Sequence, residues 1–162
     1  MIRLAKLTDY GIALMSHVAR IEPATTLHSA RDLAEATQIP LPTVSKLLKL
    51  LSQSGLLQSQ RGVRGGYSLT RSPKTISVSD VVRALEGPLN LTECGDAAEI
   101  HSGCSIEHVC RVKPHWQTIN LAIRAALDQL TLADMAGREL PPMMTASRTA
   151  RKSLSLVDKE IV

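Results

Sequence analysis

The sequence predicts a mainly α-helical fold with one small β-hairpin, and three observations support this class. Of the 162 residues, 44% are hydrophobic but only 2% are aromatic and none is phenylalanine, so the core must consist of aliphatic side chains and methionine. Those residues favour helices over sheets. Apolar residues also recur at helical spacing in several segments, whereas only two short runs, on either side of a glycine-rich tip, have the composition of strands.

Two short helices are predicted near the start of the chain. Thr8 suits the N-cap of a first helix that runs to about Ile21. Asp9 then lies in the first turn, where a carboxylate stabilises the positive end of the helix dipole. Ser29 and Asp32, three residues apart, resemble a capping box that opens the second helix.

A third helix is predicted from about Pro42 to Gly55, because proline suits the first turn of a helix and glycine the residue after its end. One face is apolar and consists of Val44, Leu47, Leu48 and Leu51. The other face is polar and basic and consists of Thr43, Ser45, Lys46 and Lys49. Two short helices joined by a tight turn, the second with such an outer face, are typical of a helix-turn-helix.

A β-hairpin is predicted directly after the third helix. The strand-like runs LLQSQ and YSLT flank the tip RGVRGG. Gly62, Gly65 and Gly66 permit the positive φ that a tight tip requires and leave its backbone open to close approach by another molecule. Arg61 and Arg64 place positive charge at the tip, as expected of a wing beside a helix-turn-helix.

A fourth helix is predicted over 78–86, between the capping-box pair Ser77 and Asp80 and the stop at Gly87 and Pro88. Beyond the cysteines, a longer helix has a continuous apolar stripe formed by Trp116, Ile119, Ile123, Ala126, Leu127 and Leu130. This helix would span about 25 Å, more than the small preceding domain can cover. We expect a second subunit to bury the remainder, with packing on its own domain as the alternative.

The chain therefore divides into four expected segments. These are a winged helix-turn-helix domain (1–88), a cysteine-containing loop (89–112), a dimerisation helix (113–136) and a tail (137–162). The tail lacks periodicity and is rich in Pro, Ser, Thr and Arg, so we expect it to be disordered. The apolar start is interrupted by charges and has no cleavage site, and no segment is long enough to span a membrane, so we expect a soluble, cytoplasmic protein.

The net charge of +4 is unevenly distributed. Residues 1–75 contain ten Lys and Arg against four Asp and Glu, whereas residues 76–162 contain nine against eleven. The N-terminal half is thus the candidate surface for binding a polyanion, although a solvated basic face without a partner has the same composition.

All three cysteines, Cys94, Cys104 and Cys110, lie in one polar segment with the spacing C-x9-C-x5-C. A disulfide is disfavoured by a reducing compartment and by the odd count. Three explanations stay open: buried thiols without a ligand, an iron-sulfur cluster, or zinc with His101, His108 or His115 as the fourth ligand.

Several strings in the same order resemble the Rrf-type winged-helix transcription regulators, the group that contains IscR and NsrR. They are KLTDYG, LHSARDLA, LPTVSKLLKLL, RGVRGGYSL, ISVSDVVRALEGP and LTEC, and the resemblance covers about residues 1–136. Within that group they look most like the regulator of the SUF iron-sulfur assembly system. The resemblance implies a homodimer on a double-stranded DNA operator, with each recognition helix in a major groove and each wing at a minor groove.

The resemblance also implies the residues that contact DNA. Those matching the exposed recognition-helix positions of the family are Pro42, Thr43, Ser45 and Lys46. Arg61 matches the wing arginine of the minor groove. Lys49 and Arg64 are expected to bind phosphate, which sets affinity without reading the base sequence.

For the cofactor, the resemblance implies an iron-sulfur cluster held by Cys94, Cys104 and Cys110, of the 2Fe-2S or the 4Fe-4S type. The histidine that completes the cluster in IscR is replaced by Lys113, whose ammonium group cannot donate a lone pair. Asp9 matches the carboxylate that completes the cluster across the dimer interface in NsrR-like proteins. The alternatives are that His108 or His101 is the fourth ligand and that Asp9 only stabilises its helix.

The expected function is a repressor of SUF-type assembly genes that responds to iron-sulfur status. An enzyme is not expected, because the sequence contains no recognisable acid-base or nucleophile set. The alternatives are a nitric-oxide or redox sensor of the same family and a zinc-stabilised winged-helix adaptor that contacts protein.

Overall fold

A computed structural model describes residues 4–21, 23, 25–62, 64–92, 104 and 109–137. Cys94, His101, His108 and nearly all of the tail predicted to be disordered lie outside the described residues. The described part contains six α-helices and one two-stranded antiparallel sheet, which confirms the predicted fold class. The elements are α1 (Lys6–Ala19), α2 (Ala30–Thr37), α3 (Leu41–Gln53), β1 (Leu57–Gln60), β2 (Gly66–Leu69), α4 (Val78–Glu86), α5 (Lys113–Asp128) and α6 (Leu132–Ala136).

The core lies between α1, α2, α3 and α4 and is aliphatic, as the composition predicted. Its fully buried side chains include Leu14 and Met15 from α1, Leu47 from α3 and Val81 from α4. The whole predicted apolar face of α3 is buried. Because this face is held by the core, the opposite face of α3 is left to solvent.

Two of the three predicted helix N-caps are confirmed. The Ser29 hydroxyl accepts a hydrogen bond from the Asp32 N–H at 3.1 Å. Ser77 and Asp80 form a complete capping box at the start of α4, with N–H to oxygen distances of 3.1 and 3.2 Å. In each of these caps the two residues are three positions apart, so the cap can be predicted from the sequence alone.

The predicted cap at Thr8 is wrong. Helix α1 begins at Lys6, and Thr8 is fully buried in its first turn, where its hydroxyl has no hydrogen-bond partner among the described residues. The Ala5 N–H instead donates to the Glu86 carboxylate at 2.9 Å. The start of α1 is thus satisfied by the end of α4, a contact between residues far apart in sequence.

The hairpin pairs Leu57 with Leu69 and Gln60 with Gly66. Residue His28 adds a bridge to the outer side of β2, because its N–H and C=O are both bonded to Tyr67 at 2.9 Å. A Cβ atom at Gly66 would lie 2.7 Å from the His28 carbonyl oxygen and 2.9 Å from its carbonyl carbon. Glycine is therefore required at position 66 by close backbone approach.

We expect Gly66→Ala to destabilise the protein by about 1–3 kcal/mol, the usual cost of forcing an atom into a packed site. The His28 backbone must move away, which breaks the bridge to Tyr67. Chemical denaturation of both proteins measures the difference. Ser59→Ala, a change at an exposed position on β1, is the matched control, and equal stability of Gly66→Ala and the parent would contradict this account of the hairpin.

The segment 113–136 contains two helices rather than one. Helix α5 ends at Asp128, and α6 begins after Thr131, which forms a capping box with Asp134. Hydrogen bonds from Thr131 lower the pKa of Asp134 and favour its charged form as the cap. Leu132 is fully buried, so α6 returns to the core and packs against α1.

Helix α5 packs on α4 and, at about 1.5 Å per residue, is about 24 Å long. None of the helices in the described ranges is long and apolar enough to cross a membrane.

Candidate functional site

Helix α3 is fixed by the tight turn that precedes it. Gln38 ends α2 in the left-handed conformation, with φ of 57°, and Ile39 is buried in the core. The Pro40 carbonyl then accepts hydrogen bonds from the N–H groups of Thr43 and Val44 at 2.9 and 3.0 Å. The turn and the first turn of α3 are therefore joined by backbone hydrogen bonds.

The outer face of α3 carries the residues that the sequence assigned to it. Four are exposed, namely Pro42, Ser45, Lys46 and Lys49, and Thr43 is half-buried. No acidic residue lies in the first turn of this helix. The positive end of the helix dipole and the two lysines thus present a surface suited to phosphate.

The tip of the hairpin is tight and basic. Arg61 and Arg64 are exposed, and the Gly65 N–H donates to the Gly62 carbonyl at 2.9 Å. Only Gly62 of the three tip glycines has a positive φ, 119°. A Cβ at Gly65 would collide with the backbone of Gln60 and Arg61. Gly65 and Gly66 are therefore needed for close packing of backbone, not for the positive φ that the sequence predicted.

The four basic side chains predicted to contact DNA on α3 and the hairpin share one property. Within the described residues none of them forms a salt bridge, so their charges are not neutralised by neighbouring carboxylates. They are Lys46, Lys49, Arg61 and Arg64. An unneutralised basic surface attracts a polyanion more strongly than its net charge suggests.

A salt-bridge pair that the sequence did not indicate joins the hairpin to α4. Arg71, two residues after β2, donates to the Asp80 carboxylate at 2.7 Å, and Arg83 donates to the other oxygen at 2.8 Å. The same carboxylate caps α4 through Ser77. The capping-box pattern explained Asp80 locally and gave no signal for its contact with Arg71.

His28, beside the hairpin, is another residue that sequence analysis did not single out. Partial burial lowers its pKa, the charge of His17 acts in the same direction, and the Asp32 carboxylate opposes both. These effects together favour the neutral form of the imidazole.

In the sequence, the three cysteines lie between the winged-helix half and α5. Cys104 and Cys110 are half-buried and neither is in a disulfide, while Cys94 lies outside the described residues. Lys113 is the first residue of α5. The two observed thiols are thus available as soft ligands for iron or zinc.

The residues that the structure describes do not form a complete metal site. Among the described residues, no three or more His, Cys, Asp or Glu side chains form a group that could hold a metal ion. Asp9 and His115 are both exposed, on α1 and α5. Asp9 does not join Cys104 and Cys110 in such a group.

Comparisons with known proteins identify the family. The model of the Rrf2 family, described as iron-dependent transcriptional regulator, matches residues 4–138. The chain is 28% identical to the transcriptional repressor NsrR of Streptomyces coelicolor over 142 residues, which cover 88% of this chain and 93% of that protein.

Two solved structures are similar along most of the chain. CymR (YrzC), the global cysteine regulator of B. subtilis, has a TM-score of 0.64 at 26% identity, covering 84% of this chain and 97% of its own. IscR of T. potens has a TM-score of 0.61 at 28% identity, covering 89% and 96%. The family and these relatives are regulators and not enzymes. The chain therefore belongs to the Rrf2 family of transcription regulators.

Proposed function

We propose that the protein is a homodimeric repressor of SUF-type iron-sulfur assembly genes that senses iron-sulfur status through a labile cluster. The observation that carries the sensing role is the placement of all three thiols in one segment between α4 and α5. The SUF target is supported by the strings in α1 to α4 that resemble the regulator of that system.

The proposed DNA complex follows from the outer face of α3 and the tip of the hairpin. The residues that face the bases of the major groove lie on the outer side of the first two turns, three of them exposed and Thr43 half-buried. They are Pro42, Thr43, Ser45 and Lys46. Arg61 enters the minor groove, and Lys49 and Arg64 bind phosphates. Phosphate contacts set affinity and register, and base contacts set sequence preference.

The homodimer is supported by the uncovered apolar side chains of α5. Leu121 is 64% exposed and Ile119 is 41% exposed, although α5 packs on α4 with another face. A second copy of α5 would cover them. A dimer also doubles the phosphate contacts and reads an inverted repeat.

The donor set fits an iron-sulfur cluster. Cys104 and Cys110 are free, half-buried thiols, and Cys94 supplies the third sulfur. The fourth ligand is Asp9 of the second subunit, with His108 or His101 as the alternative. When bound, the cluster would supply a group that oxidants and iron shortage destroy, and its loss would relieve repression.

A second candidate function is a repressor of the same family that responds to nitric oxide; the similarity to the repressor NsrR supports the repressor role in either case. The same thiols would hold the cluster in both cases. Titration with nitric oxide and, separately, removal of iron by a chelator distinguish the two, because only the rival requires operator release at near-stoichiometric nitric oxide.

The proposed function is tested on protein isolated without oxygen. We expect visible iron-sulfur absorption, matched iron and sulfide contents, and operator binding that weakens when the cluster is removed. If analysis finds one equivalent of zinc and no sulfide, the bound group is a structural metal and not an iron-sulfur cluster. Protein that stays free of iron after reconstitution, yet binds the operator normally, would remove the sensing role and leave the DNA-binding role.

A further inference from the structure

Helix α5 has one fully buried residue, and it is polar. Asn120 is 2% exposed, although asparagine is usually found at the surface. Its side-chain oxygen accepts a hydrogen bond from the Leu91 N–H at 3.0 Å. The buried amide thus binds the backbone of the segment that leads from α4 towards the cysteines.

Arg124 makes the same kind of contact one turn later. Its Nε donates to the Leu89 carbonyl at 3.1 Å, and its Nη2 donates to the side-chain oxygen of Asn90 at 2.7 Å. Residues four apart on a helix share a face. Asn120 and Arg124 therefore hold three consecutive residues, 89–91, against one side of α5.

Residues 89–91 lead directly into the segment that contains the cysteines, which indicates a role for this contact. They follow the end of α4 and lie three residues before Cys94, and α5 begins three residues after Cys110. Both arms of the thiol segment therefore start from the same helix, one beside Asn120 and one at Lys113. The separation of these two points along α5 is about 10 Å.

We propose that Asn120 and Arg124 are positioning residues that fix residues 89–91, the first arm of the thiol segment, on α5 and so limit the distance that the three-residue step to Cys94 can put between Cys94 and Cys110. The inference rests on the proposed function, since it assigns these residues to the cluster-binding segment. A ligand is held in place by the groups that orient it, and losing such a group weakens metal binding about 10- to 100-fold.

The guanidinium group suits this task better than an ammonium group would. Its fork offers donors in a fixed plane, so Nε and Nη2 of Arg124 reach two acceptors on adjacent residues at once. Arg124→Lys keeps the charge and loses the fork. If geometry rather than charge holds the arm, the lysine variant behaves like a deletion of the contact.

The experiment compares Asn120→Ala and Arg124→Lys with Thr118→Ala. Thr118 is exposed on the same helix, and its hydroxyl bonds to Pro114 of the same helix, so it serves as the matched control. Hydrogen exchange of the Leu91 amide in cluster-free protein reports the contact directly. We expect exchange to rise about tenfold in Asn120→Ala, the factor that corresponds to about 1.4 kcal/mol, and not in the control.

Thiol cross-linking reports the position of Cys94 without a cluster. In a Cys104→Ser background, a bifunctional bimane fluoresces only when both of its arms have reacted, here with Cys94 and Cys110. We expect a lower yield of the Cys94–Cys110 cross-link in Asn120→Ala and in Arg124→Lys than in the parent. The melting temperature of the winged-helix core should be unchanged. In reconstituted protein with all three cysteines, we expect cluster loss in air to be about tenfold faster.

The outcomes separate this inference from the function on which it rests. Unchanged Leu91 exchange and unchanged cross-linking in both variants would overturn it, whatever the cluster does. If the parent protein never binds a cluster but the variants lose exchange protection and cross-linking, the cluster proposal fails and the positioning role stands. If Asn120→Ala unfolds, Arg124→Lys decides the matter, because it removes no buried group.

Discussion

Replacing Cys104 by alanine is expected to abolish the visible iron-sulfur absorption of protein purified without oxygen. Iron-sulfur clusters are held chiefly by thiolates, and the sequence offers only three. Cys104 is half-buried and outside any disulfide, so its thiol is available as a ligand. Absorption spectroscopy together with iron and sulfide analysis measures the loss.

Asp9→Ala is the companion to this variant. A carboxylate from the second subunit would complete the cluster without being its main support, so the Asp9 variant should be coloured at first and lose its colour faster than the parent. Thermal melting confirms that both variants are folded. A Cys104→Ala protein with full absorption would contradict the ligand assignment, and an unchanged cluster lifetime in Asp9→Ala would transfer the fourth position to a histidine.

The second large effect is the dependence of operator binding on salt. A dimer that binds about six to ten phosphates loses about 10³- to 10⁵-fold in affinity between 50 and 200 mM salt. Each chain contributes one Lys49, so Lys49→Ala removes two proposed phosphate contacts per dimer. The slope of log affinity against log salt should fall by about 2, with little change in preference among operator sequences.

Lys74→Ala is the matched control for this measurement. Lys74 is also exposed, but it lies in the 3-10 helix Pro73–Thr75, which packs against α6 rather than on the outer face of α3. Lys74→Ala changes the net charge by the same amount as Lys49→Ala. It should leave the slope of log affinity against log salt equal to that of the parent within error. Equal effects of the two substitutions would mean that overall charge, not the face of α3, determines binding.

Features governed by local chemistry were predictable from the sequence. The caps at Ser29 and Ser77 depend on residues three positions away, and the buried face of α3 depends on helical spacing. Features governed by distant contacts were not predictable. The start of α1 depends on Glu86 from α4, and the break after α5 depends on the burial of Leu132 in the core.

The features of the candidate site were also predictable only where they depend on local sequence. The exposed positions of α3 were predictable because a helix with one apolar face presents its other face to solvent. The support of the thiol segment was not, because Asn120 and Arg124 show no pattern that relates them to residues 89–91. The fourth ligand was not predictable from spacing, because spacing does not show which residues of two copies of the chain come together.

Asp80 and helix α4 connect the base of the hairpin with the segment that leads to the cysteines. The Asp80 carboxylate caps α4 and holds Arg71 at the base of the hairpin, while the other end of α4 leads into residues 89–91. A small tilt of α4 would displace both ends together. If the protein functions as proposed, a disturbance among the sulfur atoms that tilts α4 would therefore also change the angle at which the hairpin meets its groove.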